Sequence, residues 1–425
     1  MVDADGVLRR AGVNDPSGQL AQQRVNEAMS RLEGDLKKPS KLRKVSLTRL
    51  EEAVKNQLSA GEQPSDEMLR LAGLTRIDYV FCYPETEEIV LAGPAEPWAE
   101  APSGRHLGVR SGQPVIELQD LLAAIRAFAP QSGEDPLIYC SIDPTAEGLS
   151  RMQQFLNQYG RSLTPGAVSR ESQFLVKQLQ EKLGHQVVTV GGVPADTHFA
   201  QVLVEADYRM KLIGIGLEKA PVRLKSYVDR ANPAMVSRNA LQRWFFVPDY
   251  ERLKVTDDGL AVQLIGEGVK LIGEDEIISQ DGGRTQTGTS NWASQTFVKA
   301  FTKSYSRIAE RAPVYAQLRN CIDLAVAAAA IRKYDFYGKA DWSMDLFGSE
   351  ETYPIRTYNA PERVASAVNA IVKNSTLMLP IGGGVQIRPT EALQSVNLKT
   401  DEDGRLAETR QSLIDGAANN RWWWD

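Results

Sequence analysis

Between Pro114 and Pro248 short apolar runs alternate with long stretches of helical period, and this alternation constrains the fold more than any other feature of the chain. The residues from Ile116 to Leu122 lead into an amphipathic helix that ends near Phe128. PLIYCSI then reads as a strand, followed by Asp143-Pro144-Thr145, where Asp suits an N-cap and Pro the first helical position. That helix is expected to run to Gly160. A second, from about Gly166 to Leu183, stops at Gly184, a residue type favoured just past a helix end. HQVVTVGGV reads as a buried strand, Val193-Pro194-Ala195-Asp196 opens the next helix, and RWFFVPDY is a further apolar run. Strands and helices in such succession must be layered on one another. Two helices separate successive strands, so parallel pairing stays open.

The flanks read differently. Ser46 is placed to cap a helix with Leu47, Leu50, Val54 and Leu58 on one face, and the apolar runs around Pro84-Glu85-Thr86-Glu87 predict a hairpin. After Tyr250, RLKVT, LAVQLIG and VKLIG are short strands with turns at Asp257-Asp258-Gly259 and Glu267-Gly268. QDGGRTQTGTSN, 280–291, has the composition of a flexible linker. Two helices follow, one with Phe297, Phe301, Tyr305 and Ile308 on a face, the other starting after Pro313, and together they predict an antiparallel helical hairpin. The expected class is α+β, with a mixed α/β core, β-hairpins and that C-terminal helical hairpin. The expected segments are 1–97 (helical, with a β-hairpin), 98–279 (central α/β core with a β-hairpin extension), 292–388 (helical hairpin and short strands) and 389–425 (tail).

Composition excludes more than it proposes. With 49 basic and 54 acidic residues the 425-residue chain carries a formal charge of −5, which argues against a dedicated nucleic-acid binder. Cys82, Cys140 and Cys321 cannot all pair, and Cys82 and Cys140 sit in strand-like apolar runs, so buried thiols are expected. No C-x-x-C or H-x-x-x-H spacing supports a metal, no nucleotide loop or G-x-S-x-G elbow is present, and no cofactor is expected. Gly191-Gly192 stands between a strand and a helix start, where a phosphate can rest, and Gly382-Gly383-Gly384 reads as a turn or a close backbone approach. The apolar stretch Cys321 to Ile331 is shorter than a membrane span and carries Asp323.

Three places hold candidate functional residues. On the helix after Val193, His198, Val202, Glu205 and Arg209 recur at helical spacing beside the core stripe Phe199, Leu203, Ala206 and Met210. Asp196, His198, Glu205 and Arg209 form either a salt-bridged face with Asp196 as the cap, or a ligand groove with His198 as general base and Arg209 as an anion clamp. The basic stretch holding Lys37, Lys38, Lys41, Arg43 and Lys44 lacks interleaved aromatics, so a solvated face or linker competes with an anionic partner. The C-terminal Trp422, Trp423 and Trp424 are apolar enough to dock, either on their own protein or on a partner or neighbouring subunit.

The runs SIDPTAEGLSRMQQFL, GVPADTHFAQVLVEADYRMKLIGIGLE, RWFFVPDYERL and VYAQLRNCIDLAVAAAAI, in that order, resemble an uncharacterised planctomycete family described only as a domain of unknown function. The resemblance spans roughly residues 70 to 335. It implies export, because members of the family carry a signal ahead of a segment like VDADGVL; here that segment stands almost at Met1, so a signal is expected to lie outside this numbering. The family implies no catalytic residues. The leading expectation is a non-enzymatic envelope or extracellular structural or interaction protein, a component of a larger assembly, with partner contact or self-assembly through the Trp tail and with nucleic acid an unfavoured partner. The alternative is an envelope hydrolase or an anion- or sugar-binding protein using the His198 stripe. A periplasmic or extracellular location is expected, with the cytoplasm as the alternative.

Overall fold

In the computed structural model the described residues are 2–3, 5–9, 15–130, 133, 136–159, 168–231, 240–250, 252–278, 284–286, 291–369, 381–414 and 421–425. The N-terminal part contains β1 (Val7–Leu8), α1 (Gln19–Arg31), β2 (Ser40–Ser46), α2 (Leu47–Ser59), α3 (Asp66–Leu69), β3 (Tyr79–Tyr83), β4 (Glu88–Ala95), β5 (Trp98–Glu100) and β6 (His106–Gly108). The middle contains α4 (Leu118–Ala127), β7 (Ile138–Asp143), α5 (Ala146–Tyr159), α6 (Val168–Leu183), β8 (His185–Gly191), α7 (His198–Gly214), α8 (Tyr227–Arg230), β9 (Ala240–Asp249), β10 (Arg252–Val255), β11 (Ala261–Ile265), β12 (Gly268–Ile278) and β13 (Arg284–Gln286). The C-terminal part contains α9 (Trp292–Lys303), α10 (Tyr305–Arg311), α11 (Pro313–Lys333), α12 (Phe336–Lys339), β14 (Arg363–Ala365), β15 (Ile381–Ile387), α13 (Pro389–Ala392), β16 (Leu398–Thr400), α14 (Arg405–Ile414) and β17 (Trp423–Trp424).

Among the described residues the strands form two large sheets, of order β1-β14-β8-β7-β15-β9-β12-β13 and β16-β10-β11-β3-β4-β2-β17, and a small β5-β6 ribbon. The class is α+β. In the eight-stranded sheet β7 runs antiparallel to β8 and β15, while β15 runs parallel to β9, which settles the pairing that the sequence leaves open. β7 follows the two-residue period of a half-covered strand: Ile138, Cys140 and Ile142 are buried, and Tyr139, Ser141 and Asp143 face the other side. The buried face receives α7, against which α4 and α11 pack. In the seven-stranded sheet α2 and α12 cover one face, and α14 covers the other over Phe81, Tyr83, Val90 and Ala261.

The four segments interleave. Strands β2 to β4, β10 and β11, and β16 and β17 lie side by side in one sheet, although they come from the first, second and fourth segments. Several local expectations are corrected. The basic stretch divides: Gly34–Lys37 form one 3₁₀ turn that leads into β2, Lys37, Lys38 and Lys41 are exposed, and Arg43 and Lys44 are buried. Of the expected linker, 284–286 form β13 and pair with Glu276–Ile278, while 280–283 and 287–290 lie outside the described residues. The helical hairpin is broken at Ser304, and α9 lies on β12. Thr145, not Asp143, caps α5 by accepting from Gly148 N at 2.9 Å; Asp143 pairs with Arg243. The segment 389–425 is no loose tail, since α14 and β17 both pack on a sheet.

Glycines 383 and 384 lie in β15 and not in a turn. Close approach is the reason for them: a Cβ on Gly383 (φ +125°) would sit 1.9 Å from the Trp244 carbonyl oxygen. Helix α11 is 21 residues long and contains an 18-residue stretch with a mean hydropathy of 1.2, so by length and composition it is able to cross a membrane; here nearly all of that stretch is buried in the protein's own core.

Candidate functional site

Four elements converge on one charged centre. The first turn of α4 brings Glu117, its N-cap, and Asp120; the entry to β6 brings Arg105 and His106; α7 brings His198, Glu205 and Arg209; and α11 brings Gln317. Thr197 starts α7 by accepting from Ala200 N at 3.2 Å. Asp196, expected to cap this helix, instead offers its backbone oxygen to Tyr358 N at 2.8 Å. With Thr197 as cap, residues 198, 205 and 209 fall on one stripe as the spacing requires.

His198 Nδ1 lies 3.0 and 2.9 Å from the two oxygens of Asp120. Burial penalises the imidazolium, but the charge and hydrogen bond of Asp120, helped by Glu117, outweigh that penalty and push His198 up to about 9. Burial also lifts Asp120 against the pull of His198; because both carboxylate oxygens contact the ring nitrogen, the shared proton belongs on the imidazole. The other ring nitrogen, Nε2, faces Gln317 Nε2 at 3.5 Å. Arg105 Nε donates to Gln317 Oε1 at 2.8 Å and so fixes which end of the amide faces the histidine. A protonated Nε2 therefore points at another donor and has no acceptor among the described residues. The His198 side chain keeps 18% of its surface exposed.

The surrounding charges are paired. Arg105 Nη2 donates to Glu205 at 2.6 Å, and Arg209 Nη2 donates to Glu218 at 2.7 Å while its Nη1 approaches Glu205 at 3.5 Å. The expected stripe is thus both salt-bridged and half-buried. Arg209 is no vacant anion clamp, because Glu218 and Glu205 already neutralise it. A second pair adjoins the first: His106 Nδ1 is 3.3 Å from Glu117, and Arg70 Nη2 is 3.0 Å from His106 Nε2. Burial would raise Glu117, but His106, His198 and Arg70 hold it down at about 2. Gln119 links Glu117 to the Tyr358 hydroxyl.

Periodicity found His198, Glu205 and Arg209. It missed Asp120, Glu117, Arg105, His106 and Gln317, which the chain delivers from distant elements; the acidic pair three apart at the start of α4 was the available signal.

Residues 140–227 match the family model described as "Protein of unknown function (DUF1598)". No curated protein and no solved structure matches the chain. The DUF1598 stretch runs from β7 to the start of α8, so it contributes His198, Glu205, Arg209 and Glu218, whereas Arg105, Glu117, Asp120 and Gln317 come from outside it.

The DUF1598 stretch also explains its own glycines. Gly192 (φ +79°) has the Leu137 carbonyl 2.4 Å from where a Cβ would stand, and Gly191 carries the Tyr139 ring. These two glycines serve the packing of β8 on β7 rather than a phosphate cradle. Within α7, Asp207 and Lys211 form a buried pair at 2.8 Å, and Lys211 also donates to Ile142 O and Gly383 O. Burial lifts Asp207 to about 6 despite Lys211. Among the described residues no group of three His, Cys, Asp or Glu side chains is placed to hold a metal ion.

The remaining candidates lie elsewhere. Lys37, Lys38 and Lys41 are exposed, and Lys38 pairs with Asp35 at 3.1 Å. Trp422, Trp423 and Trp424 are buried against their own chain: β17 pairs with β2, Trp423 joins the main core, and Trp424 joins the opposite face of the sheet. Arg43 stacks on Trp423 with its guanidinium carbon 4.7 Å from the ring centre.

Proposed function

We propose that the chain is a sugar-binding or hydrolase-type protein of the cell envelope, and that His198 is its proton donor to a ligand oxygen. One observation carries this reading: the Nε2 of a histidine held protonated by Asp120 faces an amide nitrogen and lacks an acceptor among the described residues. A ligand hydroxyl, ether or carbonyl oxygen supplies what the fold does not. The paired guanidiniums favour a neutral, hydroxyl-rich ligand over an anion, because Glu205 and Glu218 already balance Arg105 and Arg209. Tyr358, 6.2 Å from the His198 ring, offers an aromatic face beside the centre.

The finer family reading, a planctomycete exported protein located in the periplasm or outside the cell, belongs to the same proposal. It is supported by the long runs that resemble that family and by three cysteines that are all buried, with the Cys82 thiol pushed by burial up to about 11, so that none is poised to react.

The test is calorimetric titration of the full chain with a panel of neutral oligosaccharides, uronate-bearing ones included as anionic controls. A neutral glycan should bind, and His198→Gln should weaken it about tenfold or more while the thermal midpoint stays above the working temperature. Preference for the uronate, or equal binding by His198→Gln, would remove the proposal.

A second reading, a structural component that assembles with copies of itself, is favoured by the position of β17. Among the described residues this strand lies at the edge of its sheet and pairs with β2 over two residues only, a geometry that permits exchange between copies. Native mass spectrometry of the intact chain and of a 421–425 deletion tests it: oligomers that vanish with the deletion support exchange, and a monomer at all concentrations rejects it.

A further inference from the structure

Helices α9 and α10, which share no residue with the His198 centre, carry an aromatic stripe inward and a cationic one outward. Phe297, Phe301, Tyr305 and Ala309 recur every fourth position and are all buried. The three rings follow one another at 5.9 and 6.4 Å between centres, so the stripe continues across the break at Ser304. Two positions after each of these residues, about 200° round the helix, stand Lys299, Lys303, Arg307 and Arg311, all exposed. At 1.5 Å per residue this outward stripe is about 18 Å long. Trp292, seven positions before Lys299, falls on the same face; it is 62% exposed, whereas the other tryptophans of the chain are buried.

The neighbouring loop extends this face. α8 packs on α9, and Arg311 Nη1 donates to the Pro221 carbonyl at 3.3 Å, which lays the loop between α7 and α8 beside the two helices. That loop presents Lys219, Arg223 and Lys225, all exposed. None of these cations makes an ion pair among the described residues. The exposed acids nearby are Glu310 and Asp229, and Asp229 is taken up in capping α8. Lys299 with Lys303, and Arg307 with Arg311, are like charges one turn apart, an arrangement that disfavours the helices carrying them. The fold therefore bears two separate costs on one face, unbalanced positive charge and an indole in water, in a chain whose formal charge is −5.

One partner relieves both costs. No hydrogen bond among the described residues orients the ammonium groups of Lys299 and Lys303, so the face answers to charge density and not to a fixed pattern of oxygens. Its stripe lies along the helices, so a flat anionic surface meets the four cations together. An indole on the same stripe is the side chain favoured at the boundary between lipid headgroups and hydrocarbon. A single-stranded nucleic acid calls for several aromatic side chains to stack its bases, and Trp292 is the one aromatic on this stripe. Because the rings of Phe297, Phe301 and Tyr305 stay in the core, docking requires no unfolding. We infer that this face docks the protein on the surface of an anionic lipid bilayer.

Flotation of the full chain with phosphatidylcholine vesicles, with and without about 30% phosphatidylglycerol, tests the inference at near-physiological salt. The protein should float with the anionic vesicles alone and less as salt rises. Its tryptophan emission should shift to the blue on binding, because Trp292 is the exposed indole. Lys299→Gln combined with Lys303→Gln removes two charges at exposed helical positions and should weaken binding about tenfold or more with circular dichroism unchanged. Trp292→Phe should abolish the spectral shift, and Lys55→Gln, exposed on α2 and off this face, should alter neither readout. Three results would overturn the inference: no flotation, equal flotation with neutral vesicles, or full binding by the double variant. Tighter binding of single-stranded DNA or heparin at the same salt would reassign the face to a soluble polyanion and equally overturn the bilayer.

Discussion

Arg43 and Asp425 tie the edge strand β17 to its neighbour β2: Nε and Nη2 of a fully buried guanidinium each donate to an oxygen of the Asp425 side-chain carboxylate at 2.8 Å. Arg43 also donates to the carbonyls of Ala72 and Asp35 at 2.7 and 3.1 Å, so Asp425 completes an otherwise satisfied buried cation. Asp425→Ala leaves that cation short of its counter-charge. Losing one partner of a fully buried pair costs roughly 3–5 kcal/mol; Asp425 is 35% exposed, so about 1–3 kcal/mol is expected. Urea denaturation should show that loss, and a larger one when 421–425 are deleted, because Trp422 to Trp424 then leave both faces of the sheet. A deletion as stable as the intact chain would contradict the docking of β17.

The His198–Asp120 pair makes stability depend on pH in a defined direction. The folded-state value of about 9 lies above the unfolded 6.5, so the pair's contribution is complete below about 6.5 and disappears as pH rises through 9. Stability should therefore decline between those limits. His198→Gln should flatten that limb of the profile, and in Asp120→Asn the imidazole resonance, followed by NMR, should titrate well below its position in the intact chain. A histidine that titrates near 6.5 in the intact protein would refute the assigned pairing.

The sequence carries local information well and long-range information poorly, and the site shows both. The inward face of β7 is legible as Ile138, Cys140 and Ile142, and the stripe of α7 as His198, Glu205 and Arg209, because periods of two and 3.6 are written in adjacent residues. Asp120 stands 78 positions from His198, and Arg105 stands 100 positions from Glu205. No period links such pairs; only the packing of α4 and β6 beside α7 does. The Trp tail shows the same limit: its burial is predictable from side-chain chemistry, but the edge of β2 that receives it is a fact of topology.

Asp196 and Thr197 allow a direct test of how α7 begins. Both are residue types that cap helices, yet only Thr197 accepts from the helix, at Ala200 N. Thr197→Ala should cost about 1 kcal/mol. Asp196→Ala should stay within about 0.5 kcal/mol, since its backbone oxygen, not its carboxylate, holds Tyr358. Urea midpoints of the two variants decide the matter, and the reverse ranking would move the cap to Asp196.

At the other end of α7, Gly214 invites the opposite of the usual helix substitution. Alanine is ordinarily better than glycine in a helix by about 1 kcal/mol. Here a Cβ would stand 2.0 and 2.4 Å from Cζ3 and Cη2 of Trp244. That ring has no room to yield: its N–H donates to Ser294 at 2.8 Å, Phe297 lies against it at 4.6 Å between ring centres, and Tyr227 meets its edge at 5.5 Å. The overlap therefore has to be relieved by moving α7 off β9, which overpacking studies put at roughly 1–3 kcal/mol or more. Gly214→Ala should lower the denaturation midpoint despite its better helix propensity, and pairing it with Trp244→Phe, which removes the crowding atoms, should recover more stability than Trp244→Phe alone predicts. If Gly214→Ala proves neutral or stabilising, α7 does not sit on Trp244 as closely as described, and the placement of the His198 stripe above it falls with that contact.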